Sequence, residues 1–220
     1  MRIALGQINP TVGDLSGNVS LMLDCARRAA DSGAGLIVFP ELSLNGYPPR
    51  DLVEKPSFLS RTEAALQDLA ARAPRGIAII TGYVGKAPEQ NKALNSAAVL
   101  RDGEILLRQN KVLLPTYDVF DEARYFVPGE RGQLFDFEGR KVALTICEDA
   151  WNDRTFWKHR LYKRDPVEEL FEQGAEIHIC INASPYAMGK RDLRRRLYRA
   201  TAPETTSRTT RRVPRDGRAQ

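Results

Sequence analysis

The sequence predicts a layered α/β fold in which sheets are covered by helices. Predicted strands and helices alternate along the chain, and the strands are more numerous. The strands are indicated by alternating polar and apolar residues or by short apolar runs, and the helices by apolar residues at helical spacing. Hydrophobic residues make up 42% of the 220 residues, enough for one globular domain with a sizeable core. Each such strand or helix has an apolar face to bury, which stacking in layers achieves.

The chain opens with a strand, a helix and a second strand. Residues 2–9 alternate in side-chain polarity and predict the first strand. A helix is expected from Asn18 to a stop near Gly33, because one stripe of this segment is apolar. The apolar run at residues 35–39 predicts a short strand buried on both faces.

Further along, the spacing of Ser60 and Glu63 predicts a capping box at the start of a second helix. A strand is expected at residues 77–84, and the Asp102-Gly103 pair predicts a tight hairpin turn. Asp165-Pro166 marks the start of another helix, with Pro at its first position. The two hairpin strands and the last two predicted strands are residues 93–100, 105–109, 141–146 and 176–181.

Basic residues are concentrated near the C-terminal end. Residues 190–220 contain eleven Lys/Arg and three Asp/Glu, a net charge of +8, so residues 1–189 carry the remaining −3 of the total +5. A basic face over the whole domain is therefore not expected, nor is a nucleic-acid partner. Residues 201–220 contain five Thr, five Arg and little that could be buried, which predicts a disordered basic tail after a domain of residues 1–200.

The composition predicts a cytoplasmic protein with reduced thiols, no membrane partner and no bound metal. Its longest apolar runs are too short to cross a bilayer, and the first residues lack a signal-peptide pattern. Cys25, Cys147 and Cys180 have neither the spacing of a zinc site nor the even count of a disulfide framework. The sequence contains two histidines, so neither a multi-histidine metal centre nor a Ser-His-Asp hydrolase site is expected.

Three polar residues each follow an apolar, strand-like run. Glu41 comes after LIVFP, Lys111 after ILLRQN, and Cys147 after VALTI. In sheets of this class, strand ends are where side chains from distant parts of the chain meet a ligand. We therefore expect a carboxylate, an amine and a thiol in one pocket.

These residue types have distinct tasks in the hydrolysis of an amide. A cysteine thiol is only slightly ionised near neutral pH, so the nucleophile Cys147 needs a base, for which we expect the Glu41 carboxylate. The oxyanion of the tetrahedral intermediate needs positive charge and N–H donors, which Lys111 and the backbone amide of Glu148 can supply. Water would then hydrolyse the acyl-thioester, with the same carboxylate as base.

Taken singly, each residue has an ordinary structural explanation. A lone cysteine is more often an inert core residue, as we expect Cys25 and Cys180 to be. Glu41 alone could cap a helix or form a surface ion pair, and a single lysine such as Lys111 is usually solvated. The catalytic interpretation of Cys147 depends on the combination of the three.

Three longer segments resemble the signature regions of the nitrilase, or carbon–nitrogen hydrolase, superfamily. They are FPELSLNGYPPRDL (residues 39–52), QNKVLLPTYDVFDEARYF (109–126) and TICEDAWND (145–153). Within the superfamily they most resemble the glutaminase domain of glutamine-dependent NAD+ synthetases, over roughly residues 1–200. The resemblance implies an α/β fold of the nitrilase-like αββα sandwich type and a glutamine amidohydrolase activity.

The resemblance also implies roles for individual positions. Glu41 matches the family's general base, Lys111 its oxyanion-stabilising lysine, and Cys147 its nucleophile. Glu122 matches a second pocket glutamate that orients the lysine and the substrate. The positions that hold the glutamine substrate are matched by Tyr117, Ser184 and Lys190. By themselves, Ser184-Pro185 would be a turn and Lys190 the start of a basic helix.

In that family, the released ammonia travels through a tunnel to a second domain that uses ATP to amidate deamido-NAD+. This chain has no Ser-Gly-Gly phosphate loop and no room for that domain, so we expect no cofactor in it. ATP and deamido-NAD+ would bind an absent synthetase domain or chain, the acceptor of the ammonia. The resemblance also implies glutamine as the small-molecule substrate and a homo-oligomer in the intact protein.

The sequence departs from the family pattern near its end. Family members continue beyond the ASPY segment and its helix into strands that complete the sandwich, whereas here RDLRRRLYRA is followed by the Arg- and Thr-rich tail. We therefore expect a fragment that lacks its last strands, as a frameshift or a break in a longer gene would produce. Three other functions stay open: a free-standing amidase for another small amide, a basic binding module for nucleic acid or an acidic partner, and a non-catalytic remnant.

We expect the isolated 220-residue chain to be marginally stable and poorly active. Missing strands would expose unpaired sheet edges and apolar surface. Thermal melting followed by circular dichroism, together with a glutaminase assay, measures both properties. A cooperative melt with the turnover of an intact domain would contradict this expectation.

Overall fold

The computed structural model describes residues 1–88, 92–116, 121–154 and 156–201. Within these ranges, no helix combines the length and apolar character that a membrane crossing requires. The predicted disordered tail, apart from Thr201, lies outside them. The strands and α-helices are, in chain order, β1 (Ile3–Leu5), α1 (Leu15–Asp31), β2 (Leu36–Val38), α2 (Pro56–Arg72), β3 (Ala78–Lys86), β4 (Ala93–Arg101), β5 (Glu104–Asn110), α3 (Glu122–Tyr125), β6 (Leu134–Phe137), β7 (Arg140–Ile146), α4 (Pro166–Glu172), β8 (Ile177–Ile181) and α5 (Lys190–Ala200).

The strands form two sheets. The first has the order β1-β2-β3-β4-β5, parallel from β1 to β3 and antiparallel from β3 to β5. The second, in the described part of the chain, has the order β6-β7-β8, with an antiparallel β6-β7 pair and a parallel β7-β8 pair. Two short 3-10 helices, Arg50–Glu54 and Cys147–Ala150, follow β2 and β7 along the chain.

Side-chain alternation along β2 separates two hydrophobic cores. Ile37 packs with residues of α1 and α2 such as Met22 and Leu66, which cover the outer face of the first sheet. Leu36 and Val38 point the other way and pack against the second sheet. Because successive side chains of a strand point to opposite faces, one short apolar strand serves both cores.

The second sheet is covered on its far side by the last helices. Its inner face contributes Val142, Leu144 and Ile146 to the core between the sheets. On the outer side, Val167 of α4 and Tyr198 of α5 form a smaller cluster. The layers therefore follow the order helix, sheet, sheet, helix, which confirms the predicted αββα sandwich. The expected loss of further strands stays a prediction.

Most predicted elements are confirmed, and local chemistry explains their bounds. The β4-β5 hairpin turns at Asp102 and Gly103, both with positive φ (51° and 95°), as a tight turn between twisted strands requires. Asp165 caps α4, where its side chain accepts from the Glu168 amide. Strand β1 is shorter than predicted and ends at Leu5; the next residue, Gly6, lies so close to the Phe39 ring that a Cβ there would be only 2.3 Å from it.

Other predictions about helix starts and strands were wrong. Helix α2 begins at Pro56 instead of near Ser60, because proline is well suited to the first helical position. Glu63 forms no capping box; its carboxylate pairs with Arg108 of β5 at 2.6 Å. Helix α1 begins before Asn18, with Asp14 accepting from the Gly17 amide at 2.9 Å. Strand β6 was not predicted, since four residues are too few to show a period.

Gly82 of β3 lets the segment after β2 lie directly against the sheet. Its amide donates to Pro40 O at 3.2 Å, and its carbonyl accepts from the Leu44 amide at 3.0 Å. A Cβ at this position would lie 2.2 Å from Leu42 N and 2.7 Å from the Cα of Glu41. The missing side chain therefore determines where Glu41 is held.

We expect Gly82→Ala to lower the free energy of unfolding by about 3 kcal/mol, because the new methyl group would overlap backbone that cannot easily move. Urea denaturation measures the loss. The matched control is Gly76→Ala, whose Cβ meets nothing within 4 Å. That control should cost only about 1 kcal/mol, from its left-handed backbone. Equal losses in the two variants would contradict a special role for Gly82.

Candidate active site

The structure brings the predicted base and the predicted lysine together in a buried ion pair. Glu41 lies shortly after β2, and Lys111 directly after β5 of the same sheet. Lys111 Nζ donates to Glu41 Oε1 at 2.9 Å, and neither side chain is more than 1% exposed. Cys147 directly follows β7 of the second sheet and is also buried. The cluster therefore lies where strand ends of the two sheets meet.

Glu122, the first residue of α3, forms a second ion pair with the lysine. Lys111 Nζ donates to Glu122 Oε2 at 2.7 Å. The Tyr47 hydroxyl donates to the other oxygen, Glu122 Oε1, at 3.2 Å. Lys111 is thus held between two carboxylates, which use two of the three donors of its ammonium group.

These carboxylates keep the Lys111 ammonium charged although it is fully buried. Burial by itself lowers the pKa of a lysine, but the negative charges of Glu41 and Glu122 outweigh it and raise the pKa of Lys111 well above its ordinary value. The site therefore contains a buried positive charge between Glu41 and Glu122.

The surroundings of Cys147 favour its neutral thiol form. Burial and the negative charge of Glu41 raise the pKa of Cys147 well above its ordinary value, while Lys111 lowers it in part. A neutral thiol is a weak nucleophile and needs a base at the moment of attack. The charges of Glu41 and Lys111 thus act on the Cys147 thiol in opposite directions.

Cys147 has an unusual backbone conformation for a residue with a side chain. Its φ is 47°, in the left-handed region, which costs a non-glycine residue about 1–3 kcal/mol. Such a conformation persists only where surrounding contacts hold it. Asp149, two residues further on, provides them.

Asp149 joins the nucleophile turn to the segment that follows Lys111. Its Oδ1 accepts from the backbone amides of Val112 and Leu113 at 2.9 and 2.8 Å, and its Oδ2 accepts from the Ile146 amide at 3.1 Å. The carboxylate is therefore a fixed bridge between the two strand ends that carry Cys147 and Lys111. Burial raises the pKa of Asp149 to about 7, although the three backbone donors act in the opposite direction.

Two further contacts hold the Glu41 carboxylate. Asn95 of β4 donates from Nδ2 to Glu41 Oε1 at 2.8 Å, and the backbone amide of Ala183 donates to Glu41 Oε2 at 2.9 Å. The base is thus bound from the first sheet and from the segment after β8. Both of its oxygens have defined partners.

The predicted substrate contacts have different surroundings. Glu148 follows the nucleophile, and its Oε1 accepts from the Tyr162 hydroxyl at 3.0 Å. Ser184 follows Ala183 and is half-buried, which places it next to the residue that holds Glu41. Lys190 begins α5, with its Nζ 5.5 Å from the ring centre of Trp151. Tyr117 lies outside the described residues.

The contacts of Asn95, Asp149 and Ala183 were not predicted. Asp149 belongs to the TICEDAWND segment, where a carboxylate two positions after the nucleophile was an available signal. Asn95 is a polar residue within an apolar strand, and neither its type nor its spacing indicates a contact with Glu41. Among the described residues, no group of three or more His, Cys, Asp or Glu side chains could hold a metal ion.

The chain resembles known carbon–nitrogen hydrolases over almost all of its length. The family model described as carbon-nitrogen hydrolase matches residues 2–202. The chain is 42% identical over 205 residues to the glutamine-dependent NAD(+) synthetase of Synechocystis sp., covering 91% of this chain and 37% of that protein. It is 41% identical over 200 residues to the glutamine-dependent NAD(+) synthetase of Thermotoga maritima, covering 89% of this chain and 32% of that one. The chain thus spans about a third of the length of these relatives.

Solved structures give the same picture. The glutamine-dependent NAD+ synthetase of Acinetobacter baumannii is similar with a TM-score of 0.75 and 34% identity, covering 87% of this chain and 34% of that one. An amidase from Nesterenkonia sp. is similar with a TM-score of 0.72 and 28% identity, covering 91% of this chain and 71% of the amidase. In variants of that amidase, the acetamide moiety of fluoroacetamide is covalently added at the active-site cysteine.

The raised pKa of Asp149 predicts how stability depends on pH. Its pKa is about 7 in the folded chain against an ordinary 3.8, so between these values the folded state holds a proton that the unfolded state has lost. The free energy of unfolding should therefore rise as the pH falls through this window. Between about pH 7.5 and about pH 5.5 the expected gain from this group is about 2 kcal/mol.

Urea denaturation at both pH values, with Asp149→Asn as the comparison, isolates this contribution from those of other groups. The variant should show a smaller gain on acidification than the unaltered chain. Identical pH dependence in the two proteins would show that Asp149 does not titrate in this range.

Proposed function

Since the chain belongs to the carbon–nitrogen hydrolase family, we propose that it hydrolyses the side-chain amide of glutamine and releases ammonia. The observation that carries this proposal is the buried Lys111 ammonium, held at 2.9 Å from Glu41 and 2.7 Å from Glu122 and electrostatically coupled to Cys147. This arrangement contains a nucleophile, a base and a cation for the oxyanion. The similarity to glutamine-dependent NAD(+) synthetases supports glutamine as the amide.

The first step forms an acyl-enzyme. Cys147 Sγ attacks the amide carbon while Glu41 takes the thiol proton, so a neutral thiol that burial holds protonated can still react. Lys111 stabilises the negative charge that develops on the carbonyl oxygen, with the backbone amide of Glu148 as a second donor. Glu41 then gives the proton to the amide nitrogen, the C–N bond breaks, and ammonia leaves behind a thioester on Cys147.

The second step restores the enzyme. Glu41 takes a proton from water as that water attacks the thioester, and returns it to the sulfur as the C–S bond breaks, which restores the Cys147 thiol. The carboxylic acid formed on the substrate then loses its proton to solvent, and the product is glutamate. The product has a new carboxylate beside Glu41 and Glu122. These two glutamates together already carry one more negative charge than Lys111 balances. Repulsion between like charges in this buried site favours product release.

We assign the remaining predicted residues to substrate binding. Glu122 orients Lys111 and faces the substrate, in agreement with its 2.7 Å contact with Nζ. The other residues proposed to hold glutamine are Tyr117, Glu148, Ser184 and Lys190. The position of Ser184, next to the Ala183 amide that binds Glu41, supports its part in this set.

The destination of the ammonia is a further part of the proposal. By analogy with the relatives named above, a synthetase domain or chain would use it to convert deamido-NAD+ to NAD+, and ATP would bind there. We propose cytoplasmic location and homo-oligomeric assembly on the same basis. We also propose that residues 1–200 form the catalytic domain and that the residues after them form a disordered tail.

A free-standing amidase is the second candidate function. The Nesterenkonia amidase favours it, because this chain covers 71% of that protein and only about a third of the synthetases. Turnover of glutamine compared with acetamide and propionamide separates the two, since a glutaminase site should prefer glutamine strongly. The buried ion pairs of Lys111 count against a non-catalytic remnant.

We expect Cys147→Ala to abolish both glutamine hydrolysis and covalent labelling by a glutamine-like electrophile, because no other group can form the thioester. Ammonia release and intact mass spectrometry measure the two effects. Cys25→Ala is the matched control: it removes another buried thiol, on α1, and should retain both. Unchanged hydrolysis by the Cys147 variant would refute the proposed function.

A further inference from the structure

Asn95 occupies a position that the proposed mechanism does not yet use. Its side chain is 1% exposed, and Nδ2 donates to Glu41 Oε1 at 2.8 Å. Lys111 Nζ donates to the same oxygen at 2.9 Å, whereas Glu41 Oε2 accepts from the Ala183 amide. The two oxygens of the carboxylate are therefore bound unequally.

We infer that Asn95 is a positioning residue that determines which oxygen of Glu41 exchanges the proton with Cys147; this inference rests on the proposed function. With two donors, Oε1 has its acceptor sites filled by Lys111 and Asn95. Among the residues that the structure describes, Oε2 has one donor, the Ala183 amide, and keeps a lone pair for the thiol proton. Asn95 thus selects Oε2 as the reactive oxygen of the base.

The orientation of the Asn95 amide follows from its charged neighbour. Only the NH₂ end can face a carboxylate oxygen, because the carbonyl end would place two acceptors against each other. This contact leaves Asn95 Oδ1 buried, with no hydrogen-bond partner among the residues that the structure describes. A buried acceptor without a partner lowers stability, and an apolar side chain at this position would avoid that cost. The asparagine is therefore explained by the hydrogen bond that its NH₂ group donates to Glu41.

Asn95 also ties the base to the lysine through its backbone. The Lys111 amide donates to Asn95 O at 2.8 Å, so one residue contacts both members of the ion pair. β4 is an interior strand of the first sheet, paired on both sides by β3 and β5. Glu41 and Lys111 both lie outside regular strands, and this interior strand gives them a rigid reference.

Loss of the Asn95 donor would leave one donor on each oxygen of Glu41, Lys111 on Oε1 and the Ala183 amide on Oε2, so the two oxygens would no longer be bound unequally. Lys111 would then be the remaining side-chain donor to the carboxylate, and either oxygen could face the thiol. The titratable groups that act on or contact Glu41 are Lys111, Glu122, Cys147 and Tyr47. Tyr47 is the neutral donor among them, and its hydroxyl is already bound to Glu122 Oε1 at 3.2 Å.

The test compares the full chain with Asn95→Leu and Asn95→Asp. Leucine has a similar shape without the donor, and aspartate adds a like charge beside Glu41. We expect kcat for glutamine to fall about 10- to 100-fold in the leucine variant and further in the aspartate variant, because general acid–base catalysis contributes about 10²- to 10⁴-fold. KM should change by less than about threefold, since Asn95 contacts the base and no proposed substrate contact.

A second measurement follows Cys147 itself. The rate of its alkylation by iodoacetamide is read from the Cys147 peptide by mass spectrometry across a range of pH. In Asn95→Leu the rate should fall and its dependence on pH should change, because the two oxygens of the base are no longer held in a fixed orientation toward the thiol. This readout does not require turnover, and a purely structural contribution of Asn95 would not move it.

The control is Asn18→Leu, which removes a buried amide that hydrogen-bonds to Thr11 and Leu44 and makes no contact with Glu41. Asn18→Leu should lower the urea midpoint and leave kcat and the alkylation profile unchanged. Asn95→Leu should instead lower kcat and change the alkylation profile, with little effect on the urea midpoint. Unchanged kcat and an unchanged alkylation profile in both Asn95 variants would overturn the inference and leave the proposed function intact. Glutamine hydrolysis that persists in Cys147→Ala would instead remove the proposed function.

Discussion

The buried positive charge of Lys111 is the constraint on which the site depends. Moving an ammonium out of water costs several kcal/mol, and only partners with good geometry offset that cost. Here the carboxylates of Glu41 and Glu122 lie within 2.9 Å and 2.7 Å of Nζ. The ends of β2, β5 and α3 must therefore meet, because a displaced carboxylate would leave a buried charge without compensation.

The sandwich of two sheets meets this requirement by holding strand ends at fixed positions. Gly82 allows the backbone around Glu41 to lie on β3, and Asp149 connects the nucleophile turn with the segment after Lys111. These devices place the strained Cys147 backbone at the cluster without a long flexible loop. Burial raises the pKa of the Cys147 thiol, and the two carboxylates raise the pKa of Lys111, so the fold favours a neutral thiol and a charged lysine.

The order of strands and helices was predictable because it follows from repeated local patterns. The Asp102-Gly103 turn and the Asp165 cap are also local, and both were confirmed. The capping box at Ser60 and Glu63 failed because the same spacing occurs inside a helix that Pro56 starts earlier. Glu63 instead meets Arg108, a contact between α2 and β5 that no local pattern contains.

The sequence by itself determined which residue types the site contains and that they stand near strand ends. The tertiary structure decided how they are connected: Asn95 reaches Glu41 across 54 positions, and Asp149 reaches Val112 across 37. Contacts of this range have no period in the sequence, because they arise only when strands pair into a sheet, as for Asn95 and Glu41, or when the two sheets stack, as for Asp149 and Val112. For the same reason, the choice between the two oxygens of Glu41 exists only in the folded chain.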